Sequence, residues 1–144
     1  MTLKTGHRIA IDFGEKWFGL AISDVSGLVA SPVGTYEKQE LITKLKEISR
    51  EGEIAVIYFG LPLHLSGKEG ASAGAARAAA KAVQDLRIAP VRLVDERLST
   101  KSATEDKSMV NRYGIDAMAA VEILRFALEG ERIQKQFFGT GIDD

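Results

Sequence analysis

A chain of 144 residues, 45% of them hydrophobic, is long enough to bury one core and too apolar to be disordered. Its 19 basic and 20 acidic residues leave a net charge of -1, which excludes a bulk positive field, so any nucleic-acid surface has to be local. The lack of cysteine excludes disulfides, thiolate zinc sites and a cysteine nucleophile, and His7 and His64 alone are too few for a histidine-rich metal site.

The first residues, MTLKTGHR, carry no apolar signal-peptide core, and no later run approaches the roughly 20 apolar residues that span a bilayer. A cytoplasmic protein without membrane contact is expected. In RIAIDF the bulky Ile9, Ile11 and Phe13 alternate with Ala10 and Asp12, and in FGLAISD Phe18, Leu20 and Ile22 alternate with Gly19, Ala21 and Ser23. This is strand periodicity, with one bulky and one small face on each strand. The short GEKW connection predicts a hairpin. LVASPVGTYE supplies a third strand, weakened by Pro32. From Gln39 to Glu51, Leu41, Ile42, Leu45 and Ile48 recur at helical spacing.

IAVIYFG, from Ile54, is apolar without alternation, the mark of a strand covered on both faces and of the sheet's centre. GLPLHLSGKEGASAG, Gly60 to Gly74, reads as a long functional loop, with Ser72 as the cap of the alanine-rich helix AGAARAAAKAVQDL. PVRLVDE is a second buried strand, followed by polar helix and loop in LSTKSATEDKSMVNRYG. IDAMAAVEILRFALEG closes the fold as a helix ending near Gly130, and 131–144 is expected to be a loosely held tail. The order predicts one α/β domain over 1–144, a mixed sheet with helical cover and a core at about 8–130.

Acidic residues fall where the apolar pattern predicts burial or a strand end: Asp12, the pair Asp95 and Glu96, and Asp116. Carboxylates that share a small volume repel one another and become stable together around Mg²⁺ or Mn²⁺, which can drive phosphodiester hydrolysis without a protein nucleophile. A helical wheel, with residues advancing about 100° each, puts Glu122, Arg125 and Glu129 on the solvent side and Asp116 on the core side. Asp116 also suits a helix N-cap. Asp12 alone would be satisfied by amides of the GEKW turn, and the DER acids by a surface ion pair. Strand alternation makes Asp95 and Glu96 face opposite ways, and the sequence alone does not choose between them.

Lys16, Lys68, Arg97, Lys101 and Arg112 lie in loops near these acids, where they can receive phosphates, and Trp17 beside Lys16 can stack on a base. His64, in the flexible loop, reads as a solvated histidine.

DFGEKWFGLAISD, GLPLHLSGKEG, the strand ending DERLST, and GIDAMAAVEIL, in that order, resemble the four signature blocks of the YqgF or RuvX family of Holliday-junction-resolvase-like nucleases. The resemblance implies an RNase H-like fold with a five-stranded mixed sheet, three antiparallel strands followed by parallel ones, flanked by helices. It implies a divalent-metal site, with Mg²⁺ or Mn²⁺ held by Asp12, Glu96 and Asp116, Asp95 being the other acid of the DER block. It further implies a bacterial role in maturing the 5′ end of pre-16S ribosomal RNA, with branched DNA a further substrate for some members. A homodimer would suit a symmetric junction. Three departures stand out. Trp17 replaces a basic residue of the family's first turn, His64 and Ser66 replace asparagine and aspartate in the loop, and the segment after DER is short and less basic. Sugar kinases and actin-like ATPases also begin with D-x-G on a hairpin, but they need two such halves. A non-cleaving RNA- or ribosome-binding module is the remaining alternative.

Overall fold

The computed structural model describes residues 4–63, 66–98 and 102–143. Its strands are β1 (His7–Asp12), β2 (Phe18–Ser23), β3 (Ala30–Tyr36), β4 (Ile54–Leu61), β5 (Val91–Asp95) and β6 (Thr140–Gly141). The helices are α1 (Lys38–Glu51), α2 (Ala71–Asp85), α3 (Lys107–Tyr113) and α4 (Ile115–Gln134), with short 3-10 turns at Glu96–Leu98 and Ser102–Glu105. The sheet order is β3-β2-β1-β4-β5-β6. The first three strands are antiparallel, β1, β4 and β5 run parallel, and β6 returns antiparallel to β5. Every residue of β4 is buried, as its unbroken apolar run demands, and Pro32 lies on the edge strand β3.

The two faces of the hairpin strands take different partners. Bulky Ile9, Ile11, Leu20, Ile57 and Phe59 pack with α1 and α2 through Leu41, Leu45, Ala76 and Ala80. On the other side, Ala10, Ala21, Val56, Tyr58 and Val94 pack with α4 through Met118, Val121 and Leu124. Small side chains on this second face let the helix lie close to the sheet. A Cβ added at Gly19 would sit 1.8 Å from the carbonyl oxygen of Asp116, so that position takes only glycine without displacing the helix.

The structure corrects several expectations. The sheet has six strands rather than five, because residues beyond Gly130 are docked rather than loose. Helix α4 runs on to Gln134, the Phe138 ring lies against Gly130, and β6 pairs Thr140 with Leu93 and Gly141 with Arg92. Arg92 donates to the carbonyls of Phe138 and Gly139, and Arg77 to that of Ile142. Helix α2 begins before Ser72, on Gly70 and without a side-chain cap. Glu122, assigned to solvent by the wheel, is only 5% exposed.

A buried ionic cluster ties the end of α4 to the start of β1. Arg8 donates through Nε to Glu131 at 3.0 Å and through Nη2 at 3.0 Å, while the Tyr58 hydroxyl donates to the other Glu131 oxygen at 2.5 Å. Tyr58 in turn accepts from the Phe138 N–H at 3.1 Å. Among the described residues, no helix is long and apolar enough to cross a membrane.

Candidate active site

Strand alternation puts Asp12 on the same face of β1 as Ala10, the face that α4 covers. Two glycines then decide what stands beside it. Asp12 pairs directly with Gly19 on β2, and Gly19 is where the backbone of Asp116 rests. On the other flank, Ile11 pairs with Phe59, so Gly60 of β4 is the next neighbour. A Cβ at Gly60 would meet Glu96 Oε1 and Ile123 Cδ1, both at 2.7 Å. One missing side chain thus admits Asp116 and the other admits Glu96, and Asp12 lies between them.

The carboxyl groups act on one another strongly. Asp12 is pushed up from its ordinary 3.8 to about 9, first by burial, then by its hydrogen bond with Glu96 and by the charges of Glu96, Asp116 and Glu122. Glu96 is also held above its usual range by burial, against the opposing effect of that hydrogen bond. The two carboxyls therefore titrate as one coupled pair, and burial favours a proton held between them over two charges. Asp116 is raised by burial as well, although it occupies the first turn of α4, where free backbone N–H groups favour a carboxylate. It is not the N-cap. Gly114 takes that position, with φ +93, and is also the C-cap of α3.

Asp95, expected among the catalytic acids, is paired with a cation. Its carboxylate accepts from Arg97 Nη2 at 2.6 Å and from Arg97 Nε at 3.0 Å and 3.1 Å, which holds it below the usual carboxylate range. The Arg97 backbone N–H donates to it too, at 2.9 Å. The turn at Glu96–Leu98 explains the divergence, because leaving the strand at Asp95 sends Glu96 toward Gly60 and leaves Asp95 with Arg97. Arg97, expected to receive a phosphate, makes an ion pair with Asp95.

Other positively charged residues flank the acids. Lys16 is exposed in the β1–β2 turn, with Nζ 5.6 Å from the centre of the Trp17 ring, and Arg112 lies 5.2 Å from that of Tyr113 at the end of α3. Lys68 is exposed ahead of α2. Lys101 and His64 lie outside the described residues. Glu122 and the glycines at 19, 60 and 114 escaped the sequence reading. An acid inside AMAAVEIL, and glycines on the small faces of apolar strands, were the available signals.

Among the described residues, no three Asp, Glu or His side chains already stand as a metal cluster. The donors nevertheless fit a hard divalent cation. They are oxygen donors from three separate elements, and a cation in place of the shared proton would offset the burial and the like charges that push Asp12 up. The glycine gap at position 60 keeps the Glu96 carboxylate within reach.

A six-stranded mixed sheet flanked by helices, with three antiparallel strands followed by parallel ones, is the RNase H-like fold. Structural comparison agrees. The solved structure titled "T. thermophilus RuvC in complex with Holliday junction substrate" matches with a TM-score of 0.59 over 88% of this chain and 95% of that one, at 14% identity. The profile of the RuvX family, described as Holliday junction resolvase, matches residues 6–130, and the chain belongs to that family. Similar proteins include one from Clavibacter michiganensis subsp. michiganensis, 40% identical over 90% of this chain and 87% of its own length. Another, from Streptomyces avermitilis, is 36% identical over 99% and 98%. Both carry the name "Putative pre-16S rRNA nuclease".

Proposed function

We propose that this protein is a divalent-metal-dependent nuclease that hydrolyses phosphodiester bonds of structured nucleic acid, with the 5′ end of pre-16S ribosomal RNA as its substrate. The observation that carries the reading is the coupling of the buried Asp12 to Glu96 by a hydrogen bond and to Asp116 by charge, with Glu96 against Gly60 and the Asp116 backbone against Gly19. These acids come from distant parts of the chain, and nothing in the hydrophobic core requires them to meet. The names of the relatives support the RNA substrate.

Asp12, Glu96 and Asp116 would hold Mg²⁺ or Mn²⁺, which when bound activates water and neutralises charge on the scissile phosphate. The chain's own contribution is geometric and electrostatic. Asp12 on the β1 strand gives a fixed ligand, since its neighbours in the sheet are buried. Asp116 is placed by the backbone contact at Gly19, and Glu96 by the turn that leaves β5. Lys16, Lys68 and Arg112 receive flanking phosphates, and Arg97 holds Asp95 out of competition for the cation.

The test is cleavage of a pre-16S precursor RNA by Asp12→Asn and Asp116→Asn proteins in Mg²⁺ or Mn²⁺. Both variants should fold and lose cleavage, and activity that persists in both rejects the assigned site. The description of the family profile favours a second substrate, a four-way DNA junction, and the same assay run on that junction decides between the two.

A further inference from the structure

Beside the acids is a recess the nuclease reading does not explain. It has a volume of about 310 Å³ and is lined by Trp17, Thr35, Tyr113, Gly114, Ile115 and Asp116. That volume is at the lower end of the range for small-ligand pockets, about 300–1,000 Å³. Trp17 and Ile115 expose 42% and 59% of their surface. Its walls are fixed. The Thr35 hydroxyl donates to the Tyr113 carbonyl at 3.1 Å, and a Cβ at Gly114 would strike Thr35 Oγ1 at 2.6 Å. Lys16 stands at the Trp17 ring and Arg112 at the Tyr113 ring, so two cations border an aromatic floor.

We propose that this recess takes one unpaired nucleobase of the substrate strand, stacked on Trp17, next to the phosphodiester that Asp116 addresses. The proposal rests on the nuclease reading for the position of that phosphodiester. A flat apolar surface flanked by cations suits the alternation of base and phosphate along a single strand. A base inside a continuous duplex has both faces covered and cannot reach Trp17 without leaving the stack. Stacking on an aromatic ring tolerates every base, so the recess selects an unpaired nucleotide rather than a particular base. The enzyme should then prefer single strands, loops or junctions to uninterrupted duplex.

Trp17 is the sole tryptophan of the chain, which makes its fluorescence a direct reporter. The full-length Asp12→Asn protein is titrated, without cleavage, with a short single-stranded oligoribonucleotide and with the same strand annealed to its complement. Quenching by the single strand and little by the duplex is expected. Adding Trp17→Ala should weaken single-strand binding about tenfold by fluorescence anisotropy of a labelled strand, and Trp17→Phe should restore most of it. Equal quenching by duplex and single strand overturns the proposal, as does unchanged affinity in the Trp17→Ala variant. If the unsubstituted protein cleaves no substrate in Mg²⁺ or Mn²⁺ while the single-strand quenching persists, the recess assignment stands and only the nuclease reading falls.

Discussion

Replacing Gly19 by alanine leaves every acid in place and changes only where one of them sits. The new methyl carbon would lie 1.8 Å from the Asp116 carbonyl oxygen, 2.1 Å from its carbonyl carbon and 2.7 Å from the Ala117 nitrogen, all of them backbone atoms. Moving that oxygen from 1.8 Å to the 3.4 Å of an ordinary contact displaces the start of α4 by more than the ångström that commonly costs about 100-fold in rate. Overpacking of this kind costs about 1–3 kcal/mol, and a chain of this size loses about 4 °C in Tm for each kcal/mol. Calorimetry and single-turnover cleavage of precursor RNA, run together, separate the two effects. The variant should remain folded, melt several degrees lower, and cleave about two orders of magnitude more slowly. Gly74→Ala is the control, because nothing lies within 4 Å of its added carbon. It sits inside α2 and should gain up to about 1 kcal/mol with unaltered cleavage. A Gly19→Ala protein that cleaves at the normal rate would refute the claim that the glycine contact positions Asp116.

Three further outcomes follow from the same geometry. Because Asp12 titrates near 9 when folded and near 3.8 when unfolded, the folded state binds more protons between those values, and stability must fall as pH rises through that window. Thermal unfolding in EDTA should therefore show a lower Tm at about pH 8 than at about pH 5, with much of the slope removed in Asp12→Asn; a flat profile would contradict the shared proton. Glu96→Gln should abolish cleavage while Asp95→Asn reduces it only several-fold, and equal losses in the two variants would restore Asp95 to the site. Glu131→Ala strands the Arg8 guanidinium, which is 4% exposed, and should cost about 3–5 kcal/mol in urea denaturation, without changing the cleavage rate of the folded fraction.

Much of this was legible from periodicity, because hydrophobic burial fixes which face of each element turns inward. The alternation around Asp12, the unbroken run of β4 and the spacing in α1 each report directly on a covered surface. The convergence of acids was readable only as a possibility of the topology, since no local rule says which strand neighbours which. Glu122 misled the wheel because a charged residue was equated with solvent, whereas the carboxyl is buried near Asp12. Ser72 failed as a cap because Gly70 already gives the extended backbone from which α2 starts. The residues after Gly130 looked loose because their partners, Tyr58, Arg77 and Arg92, lie far back in the chain. Gly130 itself read as a helix stop, but its missing side chain instead makes room for the Phe138 ring.

The short strand β6 has a consequence for how the molecule behaves among its own copies. Strand β5 has Val91, Leu93 and Val94 buried, so without a neighbour it would offer a row of unspent amide and carbonyl groups on an apolar ribbon. Thr140 and Gly141 occupy part of that row, and the Arg92 guanidinium fastens the chain just before them. At the opposite border Pro32 removes one donor from β3. The chain thus covers part of one margin of the sheet itself and interrupts the other at Pro32, which shortens the stretch a foreign strand could latch onto.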